Sequence, residues 1–373
     1  MSRLRWLSFR NWPSTSMNKG TKIAIAVILL LGAVFGILGG VGVFSSSTSV
    51  SDKATPDNQT KANGSSTSPT PATGTAAPGS LPDVVANSSA REGHLDRPAS
   101  CKIVPPGKRV AAFWMTEIGG CETIPDGVTH VYFAFAEIQA GLVNQSFQTS
   151  EANMTACVSA LRKRCILVLG SIGGANASKY MKTVKDPQAF ADSAMALIKK
   201  YKFDGIDMDD ESVGPEFDGV RVLAYMKALY AAMKANGNNY LLTYDAFMYE
   251  GNLDTCKSAT YIRCWPVGLE KYLDWVNVMA YNINDNPASA NGMYAAATKP
   301  GDIFSRWATL VTAPKVMIGT CSRDGDAYGP CASAAVVSQW TKWATNYGGM
   351  MVWAGSKDVK YNYEVLTNII KSQ

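Results

Sequence analysis

The sequence predicts an α/β chain whose residues 101–373 form an eight-stranded parallel (β/α)8 barrel, and three observations lead there. From Cys101 onward, short apolar runs alternate with helical stretches, the rhythm of a parallel sheet with crossover helices. The runs number eight within about 270 residues, the usual size of such a barrel. The polar residues that interrupt them fall at their C-terminal ends, where barrel sites are assembled.

Three segments precede the barrel. Residues 1–22 form a basic tail carrying Arg3, Arg5, Arg10, Lys19 and Lys22 and no acidic residue. Residues 23–44, from Ile23 to Phe44, are apolar and uncharged, long enough as a helix to cross a hydrocarbon layer of about 30 Å. The basic flank keeps the tail cytosolic by the positive-inside rule. A signal-anchor is therefore expected, making the chain a single-pass type II membrane protein with its barrel extracellular or lumenal. The apolar run exceeds the core of a cleavable signal; cleavage near Ser45 would instead give a secreted chain. Gly32, Gly36 and Gly40 lie on one helix face, so a homodimer through the membrane span is a candidate.

Residues 45–100 are a Ser/Thr/Pro-rich linker without apolar clusters, unable to bury enough surface to fold. Asn58, Asn63 and Asn87 there, and Asn144, Asn153 and Asn176 in the barrel, begin Asn-x-Ser/Thr triplets, glycosylation acceptors in a eukaryotic host. The net charge of +5 is matched by the five basic residues of the tail, so nothing argues for a nucleic-acid partner.

Within the barrel, strands are expected at Arg109–Met115, His130–Glu137, Cys165–Gly170, Phe203–Asp209, Tyr240–Asp245, Trp275–Tyr281, Lys315–Gly319 and Met350–Trp353. Helices are expected at Pro187–Tyr201, Val220–Ala235, Gln339–Asn346 and Val365–Lys371. All eight cysteines lie beyond the linker, which suits disulfides in an oxidising compartment. Sequence neighbours suggest bridges 101–121, 157–165, 256–264 and 321–331. The two histidines are His94, in the linker, and His130, opening a strand far from the polar strand ends. Histidine-based nucleophilic or metal chemistry is not expected, and neither a metal nor a cofactor is implied.

The run Asp204-Gly205-Ile206-Asp207-Met208-Asp209-Asp210-Glu211 carries the chemistry. Its period of two reads as a strand with Asp207, Asp209 and Glu211 on one face. Carboxyl groups crowded together hold protons to unusually high pH, as a general acid requires. Calcium ligation is the competing reading, but Asp204, Gly205 and Asp207 miss the EF-hand ligand and glycine positions.

This pattern resembles the catalytic strand of glycoside hydrolase family 18, the chitinases and endo-β-N-acetylglucosaminidases, whose fold is a TIM (β/α)8 barrel. Ser171-Ile172-Gly173-Gly174 resembles the family's third-strand motif, Met279-Ala280-Tyr281-Asn282 its sixth-strand motif, and Trp353 the tryptophan that ends strand eight. The resemblance covers roughly Arg109 to the C-terminus.

It implies hydrolysis beside an N-acetylglucosamine whose own acetamide attacks C1, the substrate-assisted exception among glycosidases. Glu211 would be the acid and then the base, Asp209 the partner of the acetamide N–H, and Tyr281 the partner of its carbonyl. Asp207 would share a proton with Asp209, supported by Ser171 over the close turn at Gly173 and Gly174. Trp353, Asn282, Ser171, Gly173 and Gly174 are the candidate substrate-binding residues. Trp114, Phe135, Tyr281 and Trp353 suit stacking on a linear polymer, whereas Tyr244 and Asp245 lie near a strand end without an assigned role. Chitin or another N-acetylglucosamine oligosaccharide is the expected partner. Asp210 in place of an apolar residue resembles enzymes that cut N-glycan chitobiose cores, and family barrels without the acid act as lectins, so both alternatives stay open.

Overall fold

The computed structural model describes Gly93 and residues 98–235, 239–254, 256, 263–323 and 329–373. The tail at 1–22, the span at 23–44 and nearly all of the linker at 45–100 lie outside the described residues. Among the described residues no helix is long and apolar enough to cross a membrane.

Eight parallel strands close on themselves: β1 Arg109–Met115, β2 His130–Ala136, β3 Leu167–Gly173, β4 Gly205–Asp209, β5 Leu241–Phe247, β6 Trp275–Met279, β7 Val316–Cys321 and β8 Gly349–Trp353. Each pairs with its sequence neighbour, and β1 pairs with β8 to close the ring. The longer helices are α1 Glu151–Lys163, α2 Pro187–Tyr201, α3 Gly219–Lys234, α4 Pro287–Ala296, α5 Ile303–Val311, α6 Ala334–Ala344 and α7 Glu364–Ser372.

The period of two divides the apolar residues into two layers. Val110, Ala112, Ile206 and Met208 face outward into the layer shared with the helices. Ala111, Phe113, Leu167, Leu169 and Trp275 fill the barrel interior. Asp207 and Asp209 alternate with Ile206 and Met208, which turns both carboxyls inward against that interior.

Local chemistry fixes the element ends. Pro187 opens α2, and the Asp186 carboxylate accepts from Gln188 N and Ala189 N at 3.0 and 3.1 Å, a proline-plus-aspartate start. Ser150, Asp218, Asn286 and Ser333 likewise cap α1, α3, α4 and α6. The cap at Ser333 starts α6 five residues before the expected Gln339. Helices α1, α4 and α5 were not among those expected, although α5 buries Ile303, Phe304, Trp307 and Val311 at helical spacing.

Strand β3 begins at Leu167, not Cys165, because Cys165 stands at φ +61°. It runs on to Gly173, and β5 extends to Phe247, while β6 stops at Met279 before Tyr281. At the base of β4, Asp204 is fully buried and accepts from Val168 N at 2.9 Å. A Cβ on Gly205 would meet the Leu241 carbonyl oxygen at 2.1 Å, so the Asp-Gly pair that opens the motif fastens β4 between its neighbours.

The expected bridges 256–264 and 321–331 are present. The other four cysteines pair differently from the expectation, as Cys101–Cys165 and Cys121–Cys157, with Cα–Cα distances of 5.3 and 6.0 Å. A barrel explains the change: Cys165 at the base of β3 meets the segment entering β1, whereas Cys121, after β1, faces Cys157 on α1. Spatial neighbours at a barrel rim are not sequence neighbours. Non-reducing peptide mapping is expected to recover 101–165 and 121–157 and no peptide linked 101–121 or 157–165.

Candidate active site

The C-terminal ends of the strands surround a cleft of about 650 Å³ lined by Phe113, Phe135, Ala175, Asn176, Asp209, Glu211, Phe247, Met279, Tyr281, Asn282 and Trp353, among others. Three expected residues, Glu211, Asp209 and Tyr281, are therefore brought to one wall space, together with Asn282 and Trp353.

Asp207 lies beneath the cleft, fully buried. Ser171 Oγ donates to its Oδ2 at 2.7 Å, and Thr243 Oγ1 and Asn277 Nδ2 donate to its Oδ1 at 2.5 and 3.2 Å. Tyr132 OH reaches Asn277 at 3.5 Å and accepts from Trp275 Nε1 at 3.0 Å. Burial raises the Asp207 carboxyl above its ordinary range, although these donors oppose the shift. Burial, followed by the charge of Asp207, pushes Asp245 much further up. Asp245 thus stays protonated and donates to Asp207.

Asp209 is 4% exposed, and its Oδ1 has no protein hydrogen-bond partner. Burial raises it well above the carboxylate range, and Glu211 and then Asp207 add to that, with Arg263 opposing. Glu211 follows the end of β4, half-buried in the cleft wall. Burial pushes it from the ordinary 4.5 up to about 7, against the pull of Arg263, a hydrogen bond from Asp209 and the backbone N–H of Ala175. Asp209 and Glu211 therefore titrate as a pair that retains a proton near neutral pH. The Tyr281 phenol is raised well above its usual value, first by burial and then by Asp245, Asp209, Glu211 and Asp207. It remains a donor throughout the neutral range.

Ser171, Gly173 and Gly174, expected to touch substrate, lie below the lining residues. A Cβ on Gly173, at φ +121°, would meet the Asp209 carbonyl oxygen at 2.1 Å, and one on Gly174 would strike the Phe135 ring. Gly174 N also donates to the Asp209 carbonyl at 2.9 Å. The glycines thus let β3 close against β4 just under the paired acids.

Trp353 stacks on Phe135, with ring centres 5.4 Å apart at 24°, and meets Phe113 edge-on at 5.4 Å. Trp114, expected to stack on substrate, is 1% exposed on the outer side of β1, where its indole donates to Ile118 O at 2.7 Å. The period of two puts Phe113, one residue earlier, into the cleft instead. Tyr244 also faces outward, whereas Asp245 faces the acids.

Sequence reasoning missed Thr243, Asn277, Phe247 and Arg263. Thr243 and Asn277 carried a legible signal, polar side chains at inward positions of otherwise apolar strands. Arg263 carried none, since it follows a long connection from β5. It is 2% exposed, its Nε lies 2.7 Å from Glu250 Oε1, and it binds the carbonyls of Asp210 and Ser212. Asp210 is fully buried and turned from the cleft, accepting from Ser212 N at 2.9 Å and Tyr225 OH at 2.9 Å.

The sequence profile of the glycosyl hydrolases family 18 matches residues 109–320. The chain belongs to glycoside hydrolase family 18. Its similarity to the class V chitinase CHIT5 of Lotus japonicus is 25% identity over 234 residues, 58% of each chain. The chain spans about half the length of the curated relatives it matches, 58% and 42% for two class V chitinases. Among solved structures, a family 18 chitinase from Cycas revoluta in complex with (GlcNAc)3 superposes with a TM-score of 0.56 at 18% identity, covering 71% of this chain and 99% of that one. A chitinase-like agglutinin from Robinia pseudoacacia superposes with a TM-score of 0.55 at 16% identity, covering 70% and 98%. The barrel fold is thus shared with a family 18 chitinase and with a chitinase-like agglutinin.

Two outcomes follow from the buried acids. Ser171→Ala and Thr243→Val each remove a donor from Asp207 and are expected to cost about 1–3 kcal/mol in denaturant unfolding. Between pH 4.5 and about 7 the folded chain keeps a proton on Glu211 that the unfolded chain loses. Stability is therefore expected to fall as pH rises through that window, and Glu211→Gln to flatten the slope; an unchanged slope would contradict the raised titration.

Proposed function

We propose that the barrel hydrolyses β-1,4 bonds between N-acetylglucosamine units of chitin or chito-oligosaccharides, with retention, using the substrate's acetamide as nucleophile. The observation that supports this most is the placement of Glu211, whose carboxyl burial pushes up to about 7, on the wall of the cleft beside Asp209 and Tyr281. Glu211 gives its proton to the leaving glycosidic oxygen as the acetamide oxygen bonds to C1 and the C1–O bond breaks. The N–H of the resulting oxazolinium carries positive charge, which Asp209 offsets once the proton it holds has passed to Asp207. Tyr281 donates to the acetamide oxygen and aligns it, so attack is effectively unimolecular. Water then adds to C1 as the C1–O bond of the oxazolinium ring breaks and the acetamide is regenerated, while the Glu211 carboxylate takes the water's proton, restoring the acid.

Two-carboxylate mechanisms suit the cleft less well. A carboxylate nucleophile stands about 5 Å from the acid, and an inverting base farther still, whereas Asp209 and Glu211 are hydrogen-bonded to one another. Asp207 and Asp245 are buried below and face each other. The phenyl rings and Trp353 on the cleft wall suit the apolar faces of a linear sugar chain. Asp210, whose type favours N-glycan cores by resemblance, is bound within the protein and offers the cleft nothing. The proposal includes the signal-anchor, with the barrel extracytosolic. Protease added to sealed vesicles would check it, because recovery of soluble chain beginning near Ser45 would replace the anchor with a secreted form.

Glu211→Gln is expected to lower turnover of chitotetraose by about 10²–10⁴-fold while sparing binding, and Tyr281→Phe to lower kcat by about 10²-fold. Release of the glycan from a high-mannose glycopeptide, without cleavage of chitotetraose, would transfer the activity to N-glycan cores. Binding of chitotetraose with no turnover of either would make the chain a lectin.

A further inference from the structure

Glu211 follows the end of β4, where no strand pairing fixes the backbone, yet the reaction requires its carboxyl to be placed within a fraction of an ångström. The carbonyls on either side of it are both held. Arg263 Nη1 donates to the Asp210 carbonyl and, at 2.8 Å, to the Ser212 carbonyl. Its Nη2 donates to Tyr244 OH at 2.9 Å, and its Nε faces Glu250 at 2.7 Å. Glu250 is itself fixed by the Phe247 N–H at 2.8 Å. The guanidinium lies 4.9 Å from the centre of the Phe247 ring, which lines the cleft. Arg263 adjoins Cys264, which is bridged to Cys256. One buried side chain thereby ties the acid's backbone to β5 and to a disulfide.

We propose that Arg263 is a positioning residue for Glu211, clamping the backbone on both sides of the acid, and that the Cys256–Cys264 bridge holds the clamp in place. The inference rests on the hydrolytic reading for its consequence in turnover, but not for the clamp itself. A planar guanidinium that reaches two carbonyls, a phenol and a carboxylate at once cannot be replaced by an ammonium, which offers no such fork. The charge acts as well. Arg263 opposes the proton affinity of Glu211 and Asp209, against Asp210, Glu250, Tyr225 and Tyr244 around it. Loss of the cation therefore makes Glu211 hold its proton to higher pH.

The test compares the chain with Arg263→Met, Arg263→Lys and the double variant Cys256→Ser with Cys264→Ser. Turnover of chitotetraose is measured across pH, and amide hydrogen exchange is followed in the peptide spanning Asp209–Gly214. For Arg263→Met, kcat is expected to fall about 10²-fold with KM nearly unchanged. The upper limb of the pH profile is expected to move upward by about one unit, and exchange at 209–214 to accelerate while the other barrel strands keep their protection. The double serine variant should accelerate the same peptide and lower kcat with its upper limb unmoved, because the cation is retained. Arg263→Lys should keep the limb and lose kcat, which also serves if the methionine variant does not fold. Parental exchange at 209–214 in all three variants would overturn the clamp. A lower kcat in Arg263→Met without a shift of the limb would overturn its electrostatic part and leave packing alone. If the parent chain shows no turnover, the hydrolytic reading fails, and the exchange measurement still decides the clamp.

Discussion

Four carboxyl groups crowd together at the C-terminal end of this barrel, and the rest of the site is arranged around keeping them together. Asp207, Asp209 and Asp245 are almost without solvent contact, and Glu211 stands beside them at the cleft wall. Fully ionised, such a set would repel strongly and each charge would lack hydration. Three features make it tolerable: retained protons, a ring of neutral donors around Asp207, and the positive charge of Arg263. The first of these is also what catalysis would use. A cluster that cannot lose all its protons at neutral pH keeps one available for a leaving group.

The barrel supplies the placement. Strand pairing sets Ser171 opposite Asp207 and Gly173 opposite Asp209, and sets Asp207 opposite Thr243 on the other side. The donors to Asp207 thus come from the strands flanking β4 and from Asn277 one strand further on. Each is a short side chain on a rigid element, so little conformational freedom is lost in holding it. Gly173 and Gly205 let β4 lie close against its neighbours, since a Cβ on either would meet a backbone carbonyl oxygen at 2.1 Å.

Much of this was legible in the sequence, and the limits have physical causes. The alternation of Ile206 and Met208 with acidic residues gave the strand, its facing and the acids, because a pleat has a fixed period. The eight strands were found within a few residues each for the same reason. Errors arose where contact depends on the ring rather than on the local run. Cys101 and Cys165 are distant in sequence but adjacent at the barrel base, and Trp114, expected to suit stacking on a polymer, faces outward while the pleat turns Phe113 inward. Arg263 was invisible because nothing local distinguishes a buried arginine in a connection from an exposed one.

The central claim is that this shared burial keeps a transferable proton on Glu211 at neutral pH. It is tested most directly by following the carboxyl carbon of Glu211 by NMR in chain labelled with 13C-glutamate, the signal being identified by its loss in Glu211→Gln. The account predicts a titration midpoint at about 7. A midpoint near the ordinary 4.5 would contradict it.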